Sequence, residues 1–329
     1  MLDATFYIAI TSVLFYAFWS GFSDGPGIMA AALSSRMLHP KIVMALVMTG
    51  EIAGSLMGTA VAGFISSKMI NAKGLPIWAF ALTMCVTICW SYFCYTKGIP
   101  ISETHSLIGS LIGVTLAIGG FNRVQTNNVL MLMAFTVIGP LIAFIFARIT
   151  SKVLGYFASR ITKKAGKPIF DVANVVSILT MSFAHGNNDA QKPIGMIFLL
   201  LGIVGTSVNT IDNQNYARYA CIALALFGVL LGGEKILHTL TERIGKVNIY
   251  QAVNSQITST AILEFFTKLA VPVSTTQIMT AGMVGSIGSN KKINVRSEIV
   301  KEIMTSWVVT IPITVTVGFI LASLGSMIK

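Results

Sequence analysis

The chain has 329 residues, 54% of them hydrophobic and only 11% charged, where a soluble domain carries about a quarter charged residues. With a mean hydropathy of +0.77, this composition excludes a water-soluble globular domain and points to a polytopic membrane protein. The formal charge of +11 needs no nucleic-acid partner, because Lys and Arg collect in the cytoplasmic loops of membrane proteins.

The opening "MLDATFYIAI" holds Asp3 and no basic cluster, so it is not read as a cleaved signal peptide. No Lys or Arg precedes Arg36, which places this end outside the cell. Apolar runs near the roughly 20 residues that a span requires follow at 6–22, 42–65 and 77–95. Cys85, Cys89, Cys94 and, later, Cys221 lack metal-ligand spacing and are read as small apolar packing residues. A shorter run at 107–119 and a long one at 129–149 complete the first half.

Next comes "RITSKVLGYFASRITKKAGKPIF", with Arg148, Lys152, Arg160, Lys163, Lys164 and Lys167 and no acid before Asp171. It reads as a cytoplasmic linker and divides the chain into a first membrane repeat (1–149), a basic linker (150–168) and a second membrane repeat (169–329). The second half has interrupted runs at 172–184, 194–206, 257–270 and 277–288, with clear ones at 217–231 and 303–324. The class expected is all-α, with roughly ten to twelve helical segments, some broken or re-entrant.

The halves share their punctuation. "SGFSDGPGIMAAALSSRML" and "AHGNNDAQKPIGMIF" each hold a Gly-x-(Ser/Asn)-Asp turn, at 21–24 and 186–189. "KGIPISETHSLIGSLIG" and "LAVPVSTTQIMTAGMVG" each hold Pro-x-Ser-x-Thr, at 100–104 and 272–276. An odd number of crossings in the first half would turn the second upside down. Inverted repeats of this kind are the architecture of secondary transporters, whose site lies at the repeat interface near mid-membrane.

The chemistry follows from residue type. Asp24, Glu51, Glu103, Asp189 and Glu264 lie in or beside apolar stretches, where an acid needs a wet cavity or a partner. Glu264 is equally a helix-end acid at the interface. Pro100 and Pro272 are expected to begin helices, placing Ser102, Thr104, Ser106, Ser274, Thr275 and Thr276 in first turns. Free N–H groups and the positive end of the helix dipole there make an anion site, although Ser and Thr at such places are also simple caps. Asp24 and Asp189 beside an anion make sense if a cation binds too, since carboxylate and amide oxygens suit a small hard cation. That is the logic of cation-coupled anion symport. Glycines four residues apart (Gly50, Gly54 and Gly58; Gly109 and Gly113; Gly228 and Gly232) are read as close helix packing.

The four signatures resemble those of the inorganic phosphate transporter (PiT) family, in order and over nearly the whole chain, the first-half pair in a divergent bacterial form. The resemblance implies an inverted-repeat fold with a scaffold part and a moving part, a homodimer in the cell membrane, and symport of phosphate with Na⁺ or H⁺, without an organic cofactor. By motif position it makes Asp24 and Asp189 the cation-coordinating acids, joined by Ser23 and Asn188. Ser102, Thr104, Ser274, Thr275 and Thr276 would hold phosphate oxygens, with Asn188 and Lys192 beside them. Departures from the family pattern stand at Ser23, Gly27, Glu103, Lys192 and Gln277. The amides lost at Ser23 and Gly27 weaken one sodium site. Lys192 is either a fixed cation pairing with Asp189 or phosphate, or a snorkelling lysine. Glu103, unfavourable beside an anion if ionised, is expected to carry a proton. His105 and His185 are either neutral packing residues or pH-sensitive ones.

The coupling ion stays open, as does phosphate against a related oxyanion such as sulfate. Two further readings compete. Paired intramembrane aspartates could form a proton-sharing dyad in a protease, but these lie in amide- and Gly-rich segments without a Pro-Ala-Leu tripeptide. An anion channel would share the helix-terminus sites but not concentrate its ion.

Overall fold

Backbone polar groups inside a membrane must be satisfied within the protein, which leaves helices or a closed barrel; this chain forms helices. The computed structural model describes residues 4–205, 210–289 and 295–327, though not the side chains of Lys163 and Ala165. Asp3 lies outside the described residues. The first half runs α1 (Ala4–Ser35), α2 (Pro40–Met57), α3 (Ala60–Lys68), α4 (Trp78–Thr96), α5 (Glu103–Gly119) and α6 (Thr126–Arg160). The second runs α7 (Lys163–Asp189), α8 (Gln191–Val204), α9 (Ile211–Leu231), a short α10 (Glu234–His238), α11 (Ile249–Lys268), α12 (Thr275–Ile287) and α13 (Ser297–Met327).

Among the described residues seven helical stretches are long and apolar enough to cross a membrane: α1, α2, α4, α6, the α7–α8 run from Gly166, α9 and α13. Local chemistry sets several boundaries. Pro40 opens α2 behind His39, Asn248 and Gln251 form a capping box on α11, and Gly232 closes α9 with φ +56°.

The surface, unlike that of a soluble protein, is broadly apolar, and the core is apolar with a polar centre. The outer face of α6 exposes Leu130, Val137, Leu141, Ile145 and Ile149, whereas the interior holds Ser, Thr, Asn, Asp and Glu side chains. Exposed apolar faces of this extent mark a lipid-facing surface. Two short helices are enclosed by the long ones. Every residue of α5 from Glu103 to Thr115, and every residue of α12, is buried. A helix buried on all faces belongs to the centre of a bundle.

The halves interlock. Helix α5 packs on α13 while α12 packs on α6; α2 packs on α7 while α9 packs on α1. Glycines allow the closest of these approaches. A Cβ at Gly50 would come 2.6 Å from the Leu179 carbonyl oxygen, one at Gly54 would collide with the Phe183 carbonyl, and one at Gly228 with the Phe18 carbonyl. Gly109 and Gly113 meet α13 at Thr314 and Val315 in the same way.

Several sequence expectations change. The run 42–65 is not one pass but α2 and α3, interrupted at Gly58 and Thr59. Residues 21–24 form no open turn; they continue within α1, where Gly21 serves close approach to the Ala225 carbonyl. Residues 186–189 end α7, and a single turn residue, Ala190, separates them from α8. Pro100 and Pro272 do not begin helices: each stands two residues before the cap. Gly232 ends a helix and packs on nothing tightly. Cys94 and Cys221 are buried, but Cys85 and Cys89 lie on the exposed face of α4. The stretch 150–168 is mostly helical, the end of α6 and the start of α7.

Candidate functional site

The two enclosed helices start in the same way. Ser102 caps α5, its hydroxyl accepting from the His105 amide at 3.1 Å, and Ser274 caps α12, accepting from the Gln277 amide at 3.3 Å. The amides of Glu103, Thr104, Thr275 and Thr276 are first-turn donors that their own helices cannot satisfy. The Thr104 hydroxyl donates to the Val273 carbonyl at 3.1 Å, tying one helix start to the loop that leads into the other. The Trp307 indole N–H secures the first loop through the Pro100 carbonyl at 3.1 Å. Two helix N-termini, each with positive dipole character, thus come together in the protein interior.

Carboxylates meet them there. Asp24, on α1 and 2% exposed, accepts a hydrogen bond from the Thr276 hydroxyl. Asp189, at the end of α7, accepts from the Thr275 hydroxyl at 2.9 Å and from Lys192 Nζ at 2.8 Å. His185, one turn earlier, places Nε2 3.5 Å from Asp189 Oδ2 and Nδ1 2.7 Å from Glu51 Oε1. One donor atom each of Asp24, His185 and Asp189 lies within 4.8 Å of the others. Residues 21–27 and 186–192 therefore converge.

Glu103 forms a second knot. Its carboxylate accepts from the Ser23 hydroxyl at 2.5 Å and from Ser91, and Ser91 in turn accepts from the Trp19 indole N–H at 2.6 Å. The second carboxylate oxygen, Oε2, is buried without a partner among the described residues. Asn188 turns toward α11, donating to Thr267 Oγ1 at 2.8 Å, while its own Oδ1 stays buried and unpartnered among the described residues.

The expected residues thus fall into three groups. Asp24, Asp189, Lys192, Thr275 and Thr276 share one network. Ser23 and Glu103 bond to each other. Ser102 and Ser274 are engaged as caps, Thr104 crosses from the start of α5 to the loop before α12, and Asn188 is held by Thr267. Glu264 pairs with Asn187 at 3.2 Å, and His105 contacts Gln277 at 3.3 Å. The partnership of Glu51 with His185 and the parts played by Ser91, Trp19 and Thr267 were not predicted. Glu51 and His185 each stood out as polar residues in oily surroundings, whereas Ser91 carried no such signal.

Small cavities flank the network. One is bordered by Ser20, Gly21, Glu51, His185, Asp189 and Pro193. The other, on the far side of Asp24, is bordered by Gly27, Gln256, Ser259, Met279 and Thr280.

A many-helix bundle with a lipid-facing exterior and an enclosed polar centre, built on two buried helix starts, defines a multi-pass protein of the cell membrane. The signature of the phosphate transporter family matches residues 20–318, and the chain belongs to that family. It is 30% identical over 305 residues to a probable low-affinity inorganic phosphate transporter of Rhizobium meliloti (strain 1021), covering 92% of this chain and 91% of that protein. It is 27% identical over 331 residues to a protein of the same description from Bacillus subtilis (strain 168), covering 100% and 99%. In fold it is similar to a solved structure described as the sodium-dependent phosphate transporter, with a TM-score of 0.85, 18% identity, and coverage of 99% and 100%. A family of transporters sets aside the protease reading.

Proposed function

We propose that the protein is a secondary active transporter importing inorganic phosphate by symport with Na⁺ or H⁺. The observation that carries this reading is the convergence of the α12 start on two buried carboxylates with the α5 start tied beside it: Thr276 bonds Asp24, Thr275 bonds Asp189, and Thr104 of α5 bonds the loop before α12. First-turn amides supply directional donors for an oxyanion without a fixed countercharge that would hold it permanently. The hydroxyls of Thr104, Thr275 and Thr276 donate their single protons to Val273, Asp189 and Asp24 and would serve phosphate only on leaving them.

An anion cannot enter beside Asp24 and Asp189 unless their charge is offset. The donor set fits a small hard cation, since carboxylate oxygens of both aspartates come within 4.8 Å of each other and of His185. A proton on one carboxylate serves the same end. Cation and phosphate then favour each other's binding, which is reciprocal coupling. Matching helix starts and exchanged packing of α5, α13, α12 and α6 support the reading of the chain as two inverted repeats around this site. Division into membrane repeats at 1–149 and 169–329, joined by a basic cytoplasmic linker, belongs to the same reading, and assembly as a homodimer is proposed on family likeness alone.

Uptake of labelled phosphate into proteoliposomes under imposed Na⁺ or H⁺ gradients tests the proposal. Accumulation above the external concentration is expected under one of them. Equilibration without accumulation would point to a channel, sulfate outcompeting phosphate would reassign the substrate, and no uptake by folded protein would end the reading.

A further inference from the structure

Asp24 and Asp189 occupy matching places in the two halves, yet their surroundings differ in charge. Lys192 stands three residues beyond Asp189 and folds back on it, with Nζ 2.8 Å from Oδ1 and the side chain 1% exposed. The matching position beyond Asp24 is Gly27. A Cβ there would come 2.8 Å from Met279 Cε, the far end of a flexible side chain, so the place is marked by carrying no charge and not by a packing demand for glycine. Asp24 receives the neutral Thr276 hydroxyl, and among the described residues no Lys, Arg or His lies within ion-pair distance of it.

A buried carboxylate is tolerated only when paired or neutralised. A cation attached through the backbone one turn away stays at Asp189 through every stage of a transport cycle. At Asp24 the offsetting charge must arrive and leave. We propose that Lys192 is a built-in countercharge that makes Asp189 independent of mobile cations, so that of the two aspartates only Asp24 recruits the coupling ion. This rests on the symport reading above and narrows its cation site from both aspartates to Asp24: the site takes one mobile cation fewer than its two aspartates would suggest. Other groups around the pair do not supply that role. Glu103 is met by Ser23 and Ser91, and His185, although within 4.8 Å of an Asp24 oxygen, makes its close contacts with Glu51 and Asp189.

The test compares native protein with Lys192→Met by two readouts. Reversal potentials in proteoliposomes give cations carried per phosphate, under Na⁺ and H⁺ gradients in turn. Thermal unfolding in detergent, followed against Na⁺ with choline as replacement and against pH, reports cation binding without phosphate. The methionine variant is expected to carry one more cation per phosphate and to show a steeper dependence of melting on the coupling ion. A variant that keeps both native values overturns the proposal. Should Lys192→Met fail to fold, Asp189→Asn/Lys192→Met, which removes both charges, is expected to melt with the native cation dependence. A double variant with an altered dependence overturns the proposal too. Failure of the symport reading shows itself separately, as native protein without phosphate uptake, while the melting readout still decides the part played by Lys192.

Discussion

The Thr276 hydroxyl, at the start of α12, hydrogen-bonds the carboxylate of Asp24 on α1 across 252 positions of sequence. That single contact joins the acid of one half to the helix start of the other. Removing a donor from a buried acceptor costs about 1–3 kcal/mol. Thr276→Val, which keeps shape but loses the hydroxyl, is expected to lower phosphate uptake at least about tenfold, the rate or affinity equivalent of 1.4 kcal/mol. Thr276→Ser is expected to retain most of it. Initial-rate uptake in proteoliposomes checks both.

Asp189→Asn is expected to abolish uptake. It also strands the Lys192 ammonium in the interior, and breaking a buried pair from one side costs about 3–5 kcal/mol. A lowered melting temperature in detergent should accompany the lost transport. An Asp189→Asn protein that carries phosphate at the native rate would break the assignment of this carboxylate to the site.

The Glu51–His185 contact, 2.7 Å between Oε1 and Nδ1, lies in the interior beside Asp189. Glu51→Gln and His185→Gln should each destabilise the protein. The double variant should lose less than the sum of the two, with an interaction of about 1–3 kcal/mol in the double-mutant cycle. Melting curves of the four proteins measure it, and additive losses would show that the two side chains act independently.

Glycine positions offer a contrast that needs no transport assay. Gly54→Ala would drive a methyl into the Phe183 carbonyl and the Asn187 amide, forcing α2 away from α7. A loss of several kcal/mol, or failure to fold, is expected, in line with an overpacked core. At Gly63, within α3, an added methyl would meet nothing within 4 Å. Gly63→Ala should leave stability unchanged or raise it by up to about 1 kcal/mol through the entropy that glycine loses in a helix.

How far the molecule could be read from its residues depends on the range of the interaction involved. Most long helices follow from apolar runs, and the two helix starts from the repeated Pro-x-Ser-x-Thr. The break at Gly58 and Thr59 does not, because hydropathy barely dips there. It is fixed from outside, by the Gln191 side chain, whose oxygen accepts from the Val61 and Ala62 amides at 2.8 and 3.2 Å. Gly21 misleads for a related reason: glycine permits either an open turn or close approach, and the neighbouring Ala225 carbonyl decides between them. Asp24 and Asp189 were legible as acids out of place. Ser91 was not, since a serine in an apolar helix needs no explanation until Glu103 arrives from another one.

Two prolines beside the aspartates bear on how such a centre can move. Pro26 follows Asp24 within α1, and Pro193 follows Asp189 in the first turn of α8. Pro26 lacks the N–H that would bond the Phe22 carbonyl inside α1, while Pro193 stands where α8 starts anew after the break at Ala190, a first turn with no such bond to lose. Both aspartates therefore ride at weakened joints, where bending disturbs few bonds, and the threonines that greet them act as latches across those joints. Emptying the centre would then loosen the very struts that aim it, so occupancy and stiffness rise and fall together.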